Sequence, residues 1–198
     1  EVRFNAMRLE MSYADLDKNN QDGQERALIR YQAALDQAIA IDAGLSSSDE
    51  HYLKVQRVIA SLWRSIAQQS ELLGKQAEAM TAFKKSVDMR RRIFELEPDA
   101  KTERSLAIGL IDEAKGQAKA GDHEGALKSY EDAFKIRQEL YQADPTSDTA
   151  QRGVSWGNWY MANGLVDVDR SDQARVHYVK AVELMVEACR LNPDDARS

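Results

Sequence analysis

The chain has 198 residues, 43% of them apolar and 30% charged, and a net charge of −6, a length that holds one or two ordinary domains. The charge is spread without a basic stripe, which argues against a nucleic-acid surface. No run of 18 apolar residues exists to insert in a membrane, and Cys189 stands alone, which excludes an internal disulfide and a cysteine-rich metal site.

Ala, Leu, Glu, Lys, Arg and Gln dominate, the residues that lose least on entering a helix. Only Pro98, Pro145 and Pro193 interrupt the chain. Val, Ile and Thr are too sparse, and too rarely alternating, for sheets. In chain order, helices are expected near 2–18, 24–42, 50–73, 76–96, 101–119, 123–142, 148–167 and 171–191. The turns within pairs fall at Asn19-Asn20-Gln21-Asp22-Gly23, Gly74-Lys75, Gly121-Asp122 and Asp167 to Asp169, which are helix-stop and N-cap residues.

The second helix of each pair carries a repeat. A small residue recurs at Ala79, Ala126 and Ala174, and an aromatic follows four later at Phe83, Tyr130 and Tyr178. Ser86, Ala133 and Ala181 come next, then Val87, Phe134 and Val182. An earlier copy reads Ala27, Tyr31, Ala34 and Leu35. These positions lie on one helical stripe, where small residues admit a neighbouring helix and the aromatic fills the gap beside it. Twelve residues before each small anchor stand Ala67, Ala114 and Ala162; sixteen before stand Met11, Trp63, Leu110 and Asn158. Repeats are read at about 1–48, 49–98, 99–145 and 146–198, making a single solenoid across 1–198.

This pattern resembles the tetratricopeptide repeat family. Trp63, Ala67, Ala79, Phe83 and Ser86 fit its motif, and the likeness covers essentially the whole chain. Asp15, Glu113 and Asn158 depart from it, and Lys18, Ser70, Gln117 and Leu165 replace its first-helix Tyr. The family's period is 34 residues; this is a longer variant, with roughly two extra turns per helix at 3.6 residues per turn. The expected fold is therefore an all-α, right-handed α-solenoid of about four repeats and eight helices.

The resemblance also implies a groove lined by first helices, with contacts one and two turns in from their starts. Carried onto this sequence, that stripe reads Leu9, Ser12, Leu16; Ser61, Arg64, Gln68; Ile108, Ile111, Lys115; and Trp156, Trp159, Asn163. Arg64, Gln68, Lys115 and Asn163 can bond a peptide backbone or carboxylate, and tryptophan is enriched at binding hot spots. The bland alternative is that both tryptophans pack against a neighbouring repeat. The two-carboxylate clamp of some family members is matched only by Asn163 and Lys115, and is not expected here.

Nothing reads as catalytic, and no cofactor or metal is called for. His51, His123 and His177 are far apart and lack partners at metal-ligand spacing, so they are read as solvated or capping. Cys189, beside Leu184, Met185 and Ala188, reads as a packed thiol without a base. Gly153-Val-Ser-Trp-Gly157 lacks the Lys-Ser of a phosphate loop and is read as helix making room for tryptophans. Adjacent carboxylates such as Asp112-Glu113 and Glu131-Asp132 point to different faces. Lys84, Lys85 and Arg90 to Arg92 read as a charged outer face.

The sequence thus predicts a non-catalytic scaffold binding a partner peptide or protein segment in a concave groove. One alternative is a regulatory or sensor region packing on a kinase or protease domain of the same polypeptide, as in the bacterial signalling proteins whose long repeats these resemble. Another is a solenoid for a small ligand. The start at Glu1 and the end just past Pro193 read as those of a fragment. The apolar circumference of 171–191 then predicts a following helix from about Asp194, or self-association through the ends. A cytoplasmic setting is expected, or a periplasmic one within a membrane-anchored protein.

Overall fold

The computed structural model describes residues 2–17 and 21–191. Among them are eight α-helices and no strand: α1 Val2–Asp17, α2 Gln21–Asp42, α3 Tyr52–Leu72, α4 Gln76–Leu96, α5 Ala100–Lys119, α6 His123–Ala143, α7 Asp148–Asp167 and α8 Ser171–Leu191. The chain divides into two compact units, Glu1–Pro98 and Asp99–Ser198, each with two helical hairpins. Their boundary falls at the Pro98–Asp99 junction between repeats.

Three of the hairpin turns share one geometry, set by equivalent residues. Gly74 and Gly121 adopt φ of 72° and 83°, and Asp169 adopts 60°. In each, the following amide reaches five residues back: Lys75 N to Ser70 O, Asp122 N to Gln117 O and Arg170 N to Leu165 O, at 2.8–2.9 Å. This is the Schellman closure, which satisfies helix-end carbonyls and requires a left-handed residue. The acceptors are the backbone carbonyls of Ser70, Gln117 and Leu165.

Helix starts are capped where the sequence supplies an acceptor. Asp99 caps α5 by accepting from the Lys101 and Thr102 amides, and Thr102 bonds back to the Asp99 amide. Asp122 accepts from the Gly125 amide at α6, and Ser147 from the Ala150 amide at α7. At the first hairpin the expectation is corrected. Helix α2 begins at Gln21, so Asp22 and Gly23 lie in its first turn, where the Asp22 carboxylate complements the helix dipole. Asn19 and Asn20 lie outside the described residues.

Each unit buries its small–aromatic–small stripe between helices. In the first unit, Ala27, Tyr31, Ala34, Ala67, Ala79 and Phe83 join Leu28, Ile59, Leu62 and Ile66 in one core, with Trp63 packed at its edge. The family departure at Asp15 has a partner: the Tyr31 hydroxyl donates to its carboxylate at 2.5 Å. In the second unit Ala114, Ala126, Tyr130, Ala133, Ala162, Ala174 and Ala181 are buried.

Three stripe residues differ from expectation. Phe134 and Tyr178 are only half-buried and Val182 is 58% exposed. Tyr130 on α6 is covered by α7, where its ring stacks on Tyr160 at 5.8 Å. Tyr178 and Val182 lie on α8, whose main packing partner among the described residues is α7. Val176, Val179 and Val186 of α8 are likewise exposed. The Cys189 side chain, Pro193 and Asp194, on which further expectations rest, lie outside the described residues.

Candidate functional site

The residues expected to make contacts fall on both units. In the first, Leu9, Ser12 and Leu16 are exposed on α1, Ser61 is exposed on α3, and Arg64 and Gln68 are half-buried one turn apart on α3. In the second, α5 carries Ile108, Ile111 and Lys115, and α7 carries Trp156, Trp159 and Asn163. Ile108 and Lys115 are exposed, but Ile111 is 4% exposed and belongs to the core of this unit. At that burial it is not available to a partner.

The second unit ties four of the remaining five, Lys115, Trp156, Trp159 and Asn163, to two tyrosines that the stripe omitted. Lys115 Nζ donates to the Tyr160 hydroxyl at 3.2 Å and sits 4.6 Å from that ring's centroid. Trp156, one turn before Tyr160, stacks on it at 6.2 Å. Trp159 meets Tyr178 edge-on at 5.2 Å, and the Tyr178 hydroxyl donates to Asn163 Oδ1 at 2.7 Å. The tryptophans are nevertheless 46% and 43% exposed. One side of each is braced and the other is open. The signal for Tyr160 was present in the sequence as an aromatic four residues after Trp156, the spacing that aligns two side chains on a helix.

Three clefts adjoin these residues. Trp156 and Trp159 wall an apolar one of about 250 Å³ with Ala181, Val182 and Met185. Lys115 and Asn163 line a shallow one of about 360 Å³ with Tyr130 and Tyr178. Ile108 and Trp156 line a third, of about 340 Å³, between α5, α6 and α7, which also receives Arg104, Arg137 and Arg152. Burial pushes the Arg137 pKa down.

The glycines of α7 serve a different purpose from that expected. A Cβ on Gly157 would lie 3.0 Å from Phe134 and 3.2 Å from Arg137, so this glycine admits α6 side chains, not tryptophans. The Gly153 carbonyl accepts from Arg137 Nη1 at 2.8 Å. His177 is also unlike a solvated histidine. Its Nδ1 lies 3.0 Å from Asn158 Oδ1, and its ring packs edge-on against Phe134 at 5.4 Å. Asn158, at the Trp-type position, is therefore tied into the α6–α8 packing. His51 and His123 are exposed.

On the charged outer face, Arg91 pairs with Asp88 at 3.8 Å and Arg90 donates to Ser86. Among the described residues no group of three or more His, Cys, Asp or Glu is placed to hold a metal ion, and no helix is long and apolar enough to cross a membrane.

No family model matches the chain, and no curated protein matches it. Solved structures do. A de novo designed helical repeat protein, DHR64, is 15% identical, with 97% of this chain and 98% of that one covered at a TM-score of 0.56. The DHF58 filament is 18% identical, with 97% and 96% covered at 0.52. The MamA protein is 12% identical, with 94% and 96% covered at 0.47. At these identities the likeness to DHR64 and the DHF58 filament shows the fold alone, an all-α helical repeat of the solenoid class.

Proposed function

We propose that this chain is a tetratricopeptide-like, non-catalytic scaffold that binds a segment of a partner protein on the α5–α7 face of its second unit. The observation that carries this is the state of Trp156 and Trp159. Both are nearly half exposed while Tyr160 and Tyr178 fix their orientation. Large aromatic side chains held in place lose little entropy on binding and supply much apolar area. They flank an apolar cleft, and Asn163 on the same helix and Lys115 on α5 line the neighbouring cleft, where they can bond a backbone or carboxylate.

The test is capture of partners from native lysate by the wild type and by a Trp156→Ala, Trp159→Ala double variant. Loss of specific partners from a folded double variant is the expected result. Equal capture would move attention to the outer face around Arg90 to Arg92.

A further inference from the structure

The cleft between α5, α6 and α7 has a charge that its surroundings do not share. Residues 99–198 carry eighteen Asp and Glu against thirteen Lys and Arg. Yet Arg104, Arg137 and Arg152 converge on this one cleft, around apolar surface from Ile108, Leu140 and Trp156. Asp144 also lines it, and Arg152 pairs with Asp148 at 2.6 Å, so one net positive charge remains.

The repeat shows why one of these guanidiniums is left over. Arg57, Arg104 and Arg152 occupy the same position in successive repeats, as do Glu97 and Asp144. In the first unit Arg57 pairs with Glu97. In the second, the Asp144 carboxylate is taken by the loop before α7, accepting from the Thr146 amide and hydroxyl and from the Ser147 amide at 2.7–3.1 Å. The Arg104 side chain consequently has no ion pair or hydrogen bond among the described residues. Arg137 spends Nη1 on the Gly153 carbonyl, while its buried Nε has no acceptor. A buried guanidinium donor without an acceptor is costly, and a carboxylate is the group whose geometry it fits.

We propose that this cleft binds an acidic segment of the partner protein, with one apolar side chain against Ile108, Leu140 and Trp156 and carboxylates against Arg104 and Arg137. The inference rests on the partner-binding reading above. The cleft, about 340 Å³, is at the small end of the range for ligand pockets, roughly 300–1,000 Å³. It suits one or two side chains of a longer segment.

The experiment selects amidated random dodecapeptides on the full chain, then measures each selected peptide by fluorescence anisotropy against four proteins. These are the wild type, Arg104→Ala, Arg104→Glu and the Trp156→Ala, Trp159→Ala variant, each checked for folding by circular dichroism. The expected peptides pair Asp or Glu with a large apolar residue. They should bind Arg104→Ala at least about fivefold more weakly, fail on Arg104→Glu, and weaken with added salt. Neutral or basic peptides, no enrichment, or equal affinity for wild type and Arg104→Ala would overturn the proposal. If peptides ignore Arg104 but lose affinity for the tryptophan variant, the α7 face binds partners and this cleft does not. Inorganic phosphate displacing the peptides at low millimolar concentration would instead mark a simple anion site, and would also overturn it.

Discussion

The Ser86 hydroxyl on α4 donates a 2.8 Å hydrogen bond to the carbonyl oxygen of Ala60 on α3. In the second unit the same pair of positions is joined with the roles exchanged: Ser155 on α7 donates to the Ala181 carbonyl on α8, also at 2.8 Å. Where repeat three has the equivalent pair, Ala107 and Ala133, both are buried alanines. The close helix approach is therefore a property of the repeat, and the hydroxyl can come from either side of it. A net hydrogen bond contributes about 1 kcal/mol. Ser86→Ala and Ser155→Ala should each lose about that in urea unfolding. Ala133→Ser should stay within about 0.5 kcal/mol of wild type, since the Ala107 carbonyl offers the same acceptor. A loss above about 2 kcal/mol for Ala133→Ser would show that the register is not shared.

Asp169 is a non-glycine residue in a turn that the other two hairpins close with Gly74 and Gly121. Left-handed backbone is unfavourable for a residue with a Cβ. Asp169→Gly should raise stability by roughly 0.5–1 kcal/mol, read from the denaturation midpoint. Destabilisation would mean that the Asp169 side chain itself supports the turn.

The buried and half-buried aromatics of the stripe should separate in energy. Tyr130 is 5% exposed and stacked on Tyr160, so Tyr130→Ala should cost about 3–5 kcal/mol. Tyr178 is half open, and Tyr178→Ala should cost clearly less, about 1–3 kcal/mol. Equal costs would contradict the asymmetry between α6 and α8.

Burial lowers the His177 pKa from its ordinary value. The folded chain thus disfavours the imidazolium, and the unfolded chain binds the proton more readily. That contribution to stability is present above the unfolded histidine pKa, about 6.5, and is lost as pH falls through the folded value. His177→Asn should flatten the decline in melting temperature from pH 7 toward pH 5. An unchanged pH profile would place the sensitivity in another group.

The helices were legible in the sequence because small, aromatic and turn residues recur at fixed steps. The observed bounds depart from expectation by no more than three residues, the largest shift being the start of α2 at Gln21. The site was only partly legible. The stripe located Lys115, Trp156, Trp159 and Asn163, but it counted Ile111 as surface. It missed Tyr160, whose spacing from Trp156 was legible but whose contacts with Lys115 and Tyr130 on neighbouring helices were not. It also missed Arg104 and Arg137. Arg104 stands out because Asp144 bonds its own loop, and Arg137 because its Nε is buried without an acceptor; both depend on side-chain geometry and not on sequence period.

The most direct measurement of the central claim is the dissociation constant of a captured partner segment for wild type and for the folded Trp156→Ala, Trp159→Ala variant. Truncating a central aromatic anchor costs about 2 kcal/mol or more, so the variant should bind at least about thirtyfold more weakly. Affinity within about twofold of wild type would contradict partner binding through the α7 tryptophans.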